Sequence, residues 1–243
     1  MKPLQLQIDR WAAWAPGLET PEAWVQWLSA PHQPVTTSAV PALSEMPAMM
    51  RRRIEPHGRV ALQAAYWAQG EAPTGPVVLA SRWGEIERSV GMLEQLAAGE
   101  ALSPTAFSLS VHNAIGALFS IARKDRNNYQ ALSAGEFSAE AGFAEAAGLL
   151  ADGAAQVLLV YFDAPLPEAY AAFGEATSAS FPHAFACLLS RAQLGGISLS
   201  NELPQPSSPP DALPPGLQVL KFLLGDDAKM RRHNWLWQRH HAG

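Results

Sequence analysis

Short apolar runs alternating with amphipathic helical stretches predict an α/β protein, with a mixed, mostly buried sheet and helices on both faces. Three observations carry that expectation. Pro76–Ser81 (PVVLAS), Gln156–Phe162 (QVLLVYF) and His183–Ser190 (HAFACLLS) are continuous apolar runs of strand length, the pattern of strands covered on both sides. The stretches between them keep helical spacing. Finally, 48% hydrophobic against 16% charged residues over 243 positions supplies apolar surface for a sizeable core and excludes disorder.

The elements follow in order. Leu4, Leu6 and Ile8 alternate with polar partners as in a half-buried strand. A Pro16-Gly17 turn leads to Thr20-Pro21-Glu22, an N-cap followed by proline at N1, after which Trp24, Trp27 and Leu28 repeat at helical spacing. The stretch from Pro31 to Pro47 reads as a loop, and a helix is expected from Met49 to Trp67. After the strand at 76–81, Ile86, Val90, Leu93 and Leu96 predict a helix over 83–98. Val111, Ile115, Leu118, Phe119 and Ala122 predict another over 110–124, and Tyr129–Ser133 a short strand. Between Ala139 and Ala155 eleven residues are alanine or glycine, so the helix expected over 134–155 can approach its neighbours closely and belongs in the interior. Residues 202–215 hold six prolines and two serines and read as a surface segment; Leu217–Leu224 is a last helix, and Trp235–Trp237 a final strand-like stretch. No fixed-period repeat is present, and the whole of 1–243 is expected to form one domain.

Composition also bounds function. A net charge of −5 argues against a nucleic-acid binder, which would show a basic stripe. No run of ~18 apolar residues offers a membrane span, and the N-terminus lacks the apolar region of a secretory signal, so a cytoplasmic protein is expected. A single cysteine, Cys187, sits inside an apolar run and reads as a buried, inert thiol. Neither G-x-S-x-G, G-x-G-x-x-G nor a Walker loop occurs. His233, His240 and His241 stand among Arg231, Arg232 and Arg239 without further ligands at metal spacing, so a solvated basic tail is expected and no metal or cofactor is implied. His57, His112 and His183 read as structural histidines.

The order of elements from Asn113 to Pro165 resembles the N-terminal half of the β-ketoacyl synthases of the thiolase-like fold. A helix carrying Asn113 and Gly116, the strand Tyr129–Ser133, a tight turn Ala134-Gly135-Glu136, an Ala/Gly-rich helix and Gly153 before a strand follow one another. Asn113 and Gly116 stand one residue closer than the corresponding pair in that family. Trp14-Ala-Pro-Gly17 with Trp24 and Trp27, Arg51-Arg-Arg-Ile, Gly58-Arg-Val-Ala-Leu and Asn234-Trp-Leu-Trp237 are similar to the short ketosynthase-like chains called chain-length factors in aryl-polyene-type systems. Residues 166–182 and 200–215 match nothing.

The resemblance implies a thiolase-like half-fold. Counting back from Gly153 puts Glu136, or Gly135 where the register slips by one, at the place of the family's nucleophilic cysteine; neither is a thiol, and the motifs holding the family's two catalytic histidines are absent. It therefore implies a non-catalytic chain-length factor that pairs with an active β-ketoacyl synthase and bounds the acyl or polyene tunnel of a type II polyketide or fatty-acid-like pathway. The family's dimer pairs the strand before the nucleophile, which gives Tyr129, Gln130, Ala131, Leu132 and Ser133 as the partner interface. Met92, Leu96, Phe107 and Phe119 are the residues expected along the tunnel, although a stripe at helical spacing is also what plain core looks like. An acidic acyl carrier protein is a further implied partner, which Arg51–Arg53 would meet unless they form a solvated helix face. Glu136 has two compatible readings, a carboxylate favoured at a helix N-terminus or a residue that keeps the old acyl site closed. Two other classes stay open: a stand-alone acyl thioester hydrolase or transferase using Ser138 or Glu136, and a homodimeric scaffold that binds carrier protein.

Overall fold

The computed structural model describes residues 5–34, 40–174, 179–203 and 213–241; most of the proline-rich stretch expected at the surface lies outside them. One eight-stranded sheet organises the chain. Its strands are β1 (Gln5–Trp14), β2 (Val77–Ser81), β3 (Tyr129–Leu132), β4 (Val157–Asp163), β5 (His183–Arg191), β6 (Gly196–Asn201), β7 (Lys229–Arg232) and β8 (Trp235–His240), in the order β3-β2-β4-β5-β1-β6-β8-β7. β2 pairs in parallel with β3 and with β4, and every other pairing is antiparallel, so the sheet is mixed. β1 lies inside the sheet, between β5 and β6, with Leu6 opposite Arg191.

The helices are α1 (Pro21–Ser29), α2 (Ala48–Arg51), α3 (Pro56–Gln69), α4 (Ile86–Ala97), α5 (Pro104–Ser108), α6 (Ala114–Arg123), α7 (Ser138–Ala151) and α8 (Pro215–Leu224). Their starts follow local rules. Thr20 accepts from Ala23 N at 3.2 Å and Ser103 from Ala106 N at 3.3 Å, each ahead of a proline in the first turn. The single helix expected over 49–67 is broken into α2 and α3, because Pro56 forces Glu55 into extended backbone at ψ 161°. The helix expected over 110–124 begins only at Ala114.

The crossovers from β2 to β3 and from β3 to β4 run in opposite directions along the sheet, so right-handed connections put their helices on opposite faces. Ile115, Leu118 and Phe119 of α6 join α3 in one apolar layer with Val77, Leu79, Leu158 and Val160. Ala139, Phe143, Ala146 and Leu150 of α7 join α1 and α8 in the other, with Val78, Ala80 and Leu159. Burial of β2 and β4 on both sides explains their unbroken apolar sequences.

α7 approaches the sheet closely at Gly142, where a Cβ would stand 2.9 Å from the Ala80 methyl and 2.8 Å from Leu159 Cδ1. Its interior placement holds for that face only, since Ala144 and Gly148 on the other side are exposed. Two strands are absent from the sequence reading. β6 carries little apolar character, and β7 reads Lys-Met-Arg-Arg, a charged edge.

Candidate functional site

The parallel strands β2, β3 and β4 end together, and the chemistry-bearing residues gather beyond their carboxyl ends. β3 ends at Leu132, one residue before the expected boundary, and the Ser133 hydroxyl donates to Arg82 O at 2.8 Å, tying the end of β3 to the end of β2. A tight turn then leads into α7. Gly135 adopts φ +60°, which a side chain would strain. Ser138 closes the turn: its hydroxyl accepts from Ala134 N at 3.0 Å and donates to Gly135 O at 2.7 Å.

Glu136, at the position where the resemblance puts a cysteine nucleophile, is half-buried on this strand–turn–helix elbow, two residues ahead of α7. Ser138, the other residue considered for acyl chemistry, is fully buried, and its hydroxyl is taken up by the turn backbone. Cys187 lies in β5, away from the elbow, with its thiol pushed up to about 12 by burial, an inert group as expected.

The C-terminal basic residues do not form a solvated tail. They build the β7–β8 hairpin, whose last β7 residue, Arg232, is buried against the elbow. Its guanidinium pairs with the Glu140 carboxylate in the first turn of α7, donates to Glu136 O at 3.3 Å and to Gln218 Oε1 at 3.0 Å, and lies 5.4 Å from the Phe137 ring centre. Burial raises the Glu140 carboxyl above its usual range, and Arg232 opposes that shift. Arg239 caps α8 through Phe222 O at 2.6 Å and Gly225 O at 2.8 Å. Folding of the hairpin onto α7 and α8, with Trp237 edge-to-face on Phe143 at 4.9 Å, buries what the sequence pattern leaves outside.

A cavity of about 250 Å³ opens between the ends of β2 and β4 and the start of α3, lined by Trp83, Ile86, Phe162 and Leu166 on its apolar side. Its polar side holds His57 and Asp163. His57 lies 3.2 Å from Glu85 and 3.4 Å from Glu87 and stacks on Phe162. Burial alone lowers its pKa, but the two carboxylates outweigh burial and lift it to about 9. The Asp163 carboxyl is pushed up to about 6 by burial, against the opposing pull of its bond from Ala164 N and of Arg82. His183, the third of the structural histidines, is wholly buried and held neutral, its pKa lowered to about 4. No signal in the sequence joins His57 to Asp163, because 106 positions separate them and only the fold brings the start of α3 to the end of β4.

None of Met92, Leu96, Phe107 or Phe119 lines that cavity. Leu96 and Phe107 lie on the outer surface, 58% and 64% exposed, and Met92 is half-buried on α4. Phe119 is core, 2% exposed and edge-to-face with Tyr66 at 4.9 Å. Tyr129, Gln130, Ala131 and Leu132 form the edge strand β3, half-buried, and Ser133 is exposed beyond it. Arg52 and Arg53 are exposed, whereas Arg51 is half-buried and donates to Ala42 O at 2.9 Å. Among the described residues no three histidine, cysteine, aspartate or glutamate side chains converge as a metal site, and no helix is long and apolar enough to cross a membrane.

A mixed sheet between two helical layers, with a strand–turn–helix elbow heading a small-residue helix, defines a ketosynthase-like protein of the thiolase-like fold, with glutamate at the elbow. The chain belongs to the family of the beta-ketoacyl synthase N-terminal domain, whose model matches residues 24–238. It is similar to a chain of the ketosynthase (ApeO) in complex with its chain length factor (ApeC) from Xenorhabdus doucetiae. The likeness has a TM-score of 0.83 and 29% identity, over 98% of this chain and 100% of that one. The ishigamide ketosynthase/chain length factor shares the fold at a TM-score of 0.63 and 15% identity, over 82% of this chain and 68% of that chain. So does a type II polyketide synthase acyl-carrier protein in complex with its ketosynthase bound to the hexaketide (AntDE:AntF), at 0.59 and 13%, over 82% and 70%. No curated protein matched the sequence.

Proposed function

We propose that this chain is the chain-length factor of a ketosynthase heterodimer, a subunit without condensing chemistry of its own. One observation carries the reading: the elbow that would present a nucleophile presents Glu136, and the only cysteine is buried in β5. A carboxylate cannot take an acyl chain from a carrier thioester as a thiolate does, so condensation falls to the partner. The likeness to a chain of the ketosynthase and chain length factor complex, over nearly the whole of both chains, supports it.

The two sheet edges support the docking side. β7 carries Lys229 and Arg231, charges that discourage pairing at an edge, whereas β3 (Tyr-Gln-Ala-Leu) carries none. β3 is therefore the edge built to receive a strand, and the ketosynthase partner docks there through Tyr129–Ser133. Leu93, Leu96, Phe107 and Val111 are exposed apolar side chains on and after α4, each open to a partner. In the heterodimer Met92, Leu96 and Phe107 wall the far end of the acyl tunnel. Arg52 and Arg53 offer positive charge to an acyl carrier protein.

Co-expression with a ketosynthase of the same organism, followed by size-exclusion chromatography with mass determination, tests the reading. A stable 1:1 complex is expected, with the β3 amides that point away from β2 protected from exchange only in the complex. A monomer or homodimer that ignores the ketosynthase, or one that turns over acyl thioesters alone, overturns it.

A further inference from the structure

The turn at 134–138 joins the edge strand β3 to α7, and little packing holds it, since Ser133, Ala134 and Gly135 are exposed. Beyond the Ser138 hydroxyl bonds that close it, it is held from the other end of the sheet. β7 is the edge strand opposite β3, yet Arg232 directs its guanidinium at the elbow. Glu136 O, the Phe137 ring and the Glu140 carboxylate all belong to residues 136–140, and Gln218 of α8, bonded to Nε at 3.0 Å, fixes the rotation of the planar fork. The next residue, His233, stacks on Phe137 at 5.9 Å. A buried ion pair is no better for stability than an apolar pair of the same volume. What an apolar pair cannot do is hold the Glu136 carbonyl.

We infer that Arg232 is a positioning residue, which fixes the 134–138 turn, and with it the end of β3, in the orientation that the partner ketosynthase meets. This rests on the docking proposed above. It makes the β7–β8 hairpin part of the interface mechanism although the hairpin lies at the far edge of the sheet. Arg232 acts through the turn and touches no substrate.

The test compares full-length wild type with the paired variant Arg232→Met/Glu140→Leu, which keeps the volume and removes the fork, and with Arg232→Lys, which keeps the charge alone. Hydrogen exchange is read at residues 134–138 and along β4 and β5, and affinity for the co-expressed ketosynthase is measured in parallel. In the paired variant, turn amides are expected to exchange at least tenfold faster with β4 and β5 unchanged, and the Kd to rise at least tenfold. Arg232→Lys falls between. Should the paired variant not fold, Gln218→Ala, which frees the fork to rotate and also removes the bond from Gln218 Nε2 to Leu213 O, is expected to move both readouts the same way by a smaller factor. Unchanged exchange at 134–138 overturns the clamp. Faster exchange with unaltered affinity overturns its role in docking. A wild-type chain that binds no ketosynthase defeats the docking reading instead, and the exchange arm still decides whether Arg232 sets the turn.

Discussion

Arg232 and Glu140 stand 92 residues apart in sequence and form a buried ion pair that fastens the C-terminal hairpin to the first turn of α7. Removal of one partner leaves the other charge buried without compensation. Glu140→Ala is therefore expected to cost about 3–5 kcal/mol of stability, and the paired Arg232→Met/Glu140→Leu much less. Denaturant unfolding of the full chain measures both; equal losses would show that the pair contributes packing alone.

Gly142 sets the distance between α7 and the sheet. Since a Cβ there would meet Ala80 at 2.9 Å and Leu159 at 2.8 Å, Gly142→Val forces helix and sheet apart. The expected loss is about 1–3 kcal/mol, seen as a lowered Tm. Gly148, with open space around its Cα, is the control: Gly148→Ala is expected to be neutral or stabilising.

His57 gives the protein an alkaline weakness. Its folded pKa of about 9 lies above its ordinary value of 6.5, so its stabilisation is complete below 6.5 and is lost as pH rises through about 9. The loss is about 3 kcal/mol. His57→Gln should flatten that part of the stability profile, read by thermal unfolding between pH 6 and pH 10. A variant with the same alkaline slope as wild type would assign the slope elsewhere.

Asp163 works in a lower window. Its carboxyl, raised from 3.8 to about 6, favours the folded state while protonated, so its contribution is present below 3.8 and lost as pH climbs through 6. Asp163→Asn, which keeps one of the two acceptors that Tyr161 Oη and Ala164 N use, is expected to remove the slope between pH 4 and 6 and to raise stability at pH 7 by less than the full shift of about 3 kcal/mol.

Phe107 and Leu96 separate function from folding. Both are more than half exposed, so Phe107→Ala and Leu96→Ala are expected to change stability by no more than about 0.5 kcal/mol. In the heterodimer, Phe107→Ala or Met92→Ala is expected to lengthen the product, measured by mass spectrometry. Unchanged product length with normal complex formation would remove these residues from the tunnel wall.

The buried strands were legible because both faces of β2, β4 and β5 are covered, which leaves an apolar run with no polar interruption. The elbow was legible through the resemblance, with Gly135 and Glu136 at the expected junction between β3 and α7. Arg232 was not. Its sequence neighbours are basic, and only tertiary folding turns one arginine of a charged run inward onto Glu140. The cavity was hidden for the same reason, because His57, Trp83 and Asp163 come from three strand or helix ends that share no local pattern. Met92, Leu96 and Phe107 follow a helical rhythm that does not tell a core face from one left open, and the structure puts Phe119 alone among the four candidates in the core.

The position of β1 inside the sheet has a consequence for synthesis on the ribosome. β1 emerges well before its partner β5, since Leu6 pairs with Arg191. At about 5–20 residues per second that wait is on the order of 10–40 s, during which Trp11 and Trp14 have no sheet to enter. The parallel trio β3-β2-β4 can assemble earlier, around α7, while the N-terminal segment is still unplaced. Closure of the fold then comes late and across a long sequence separation, which slows folding.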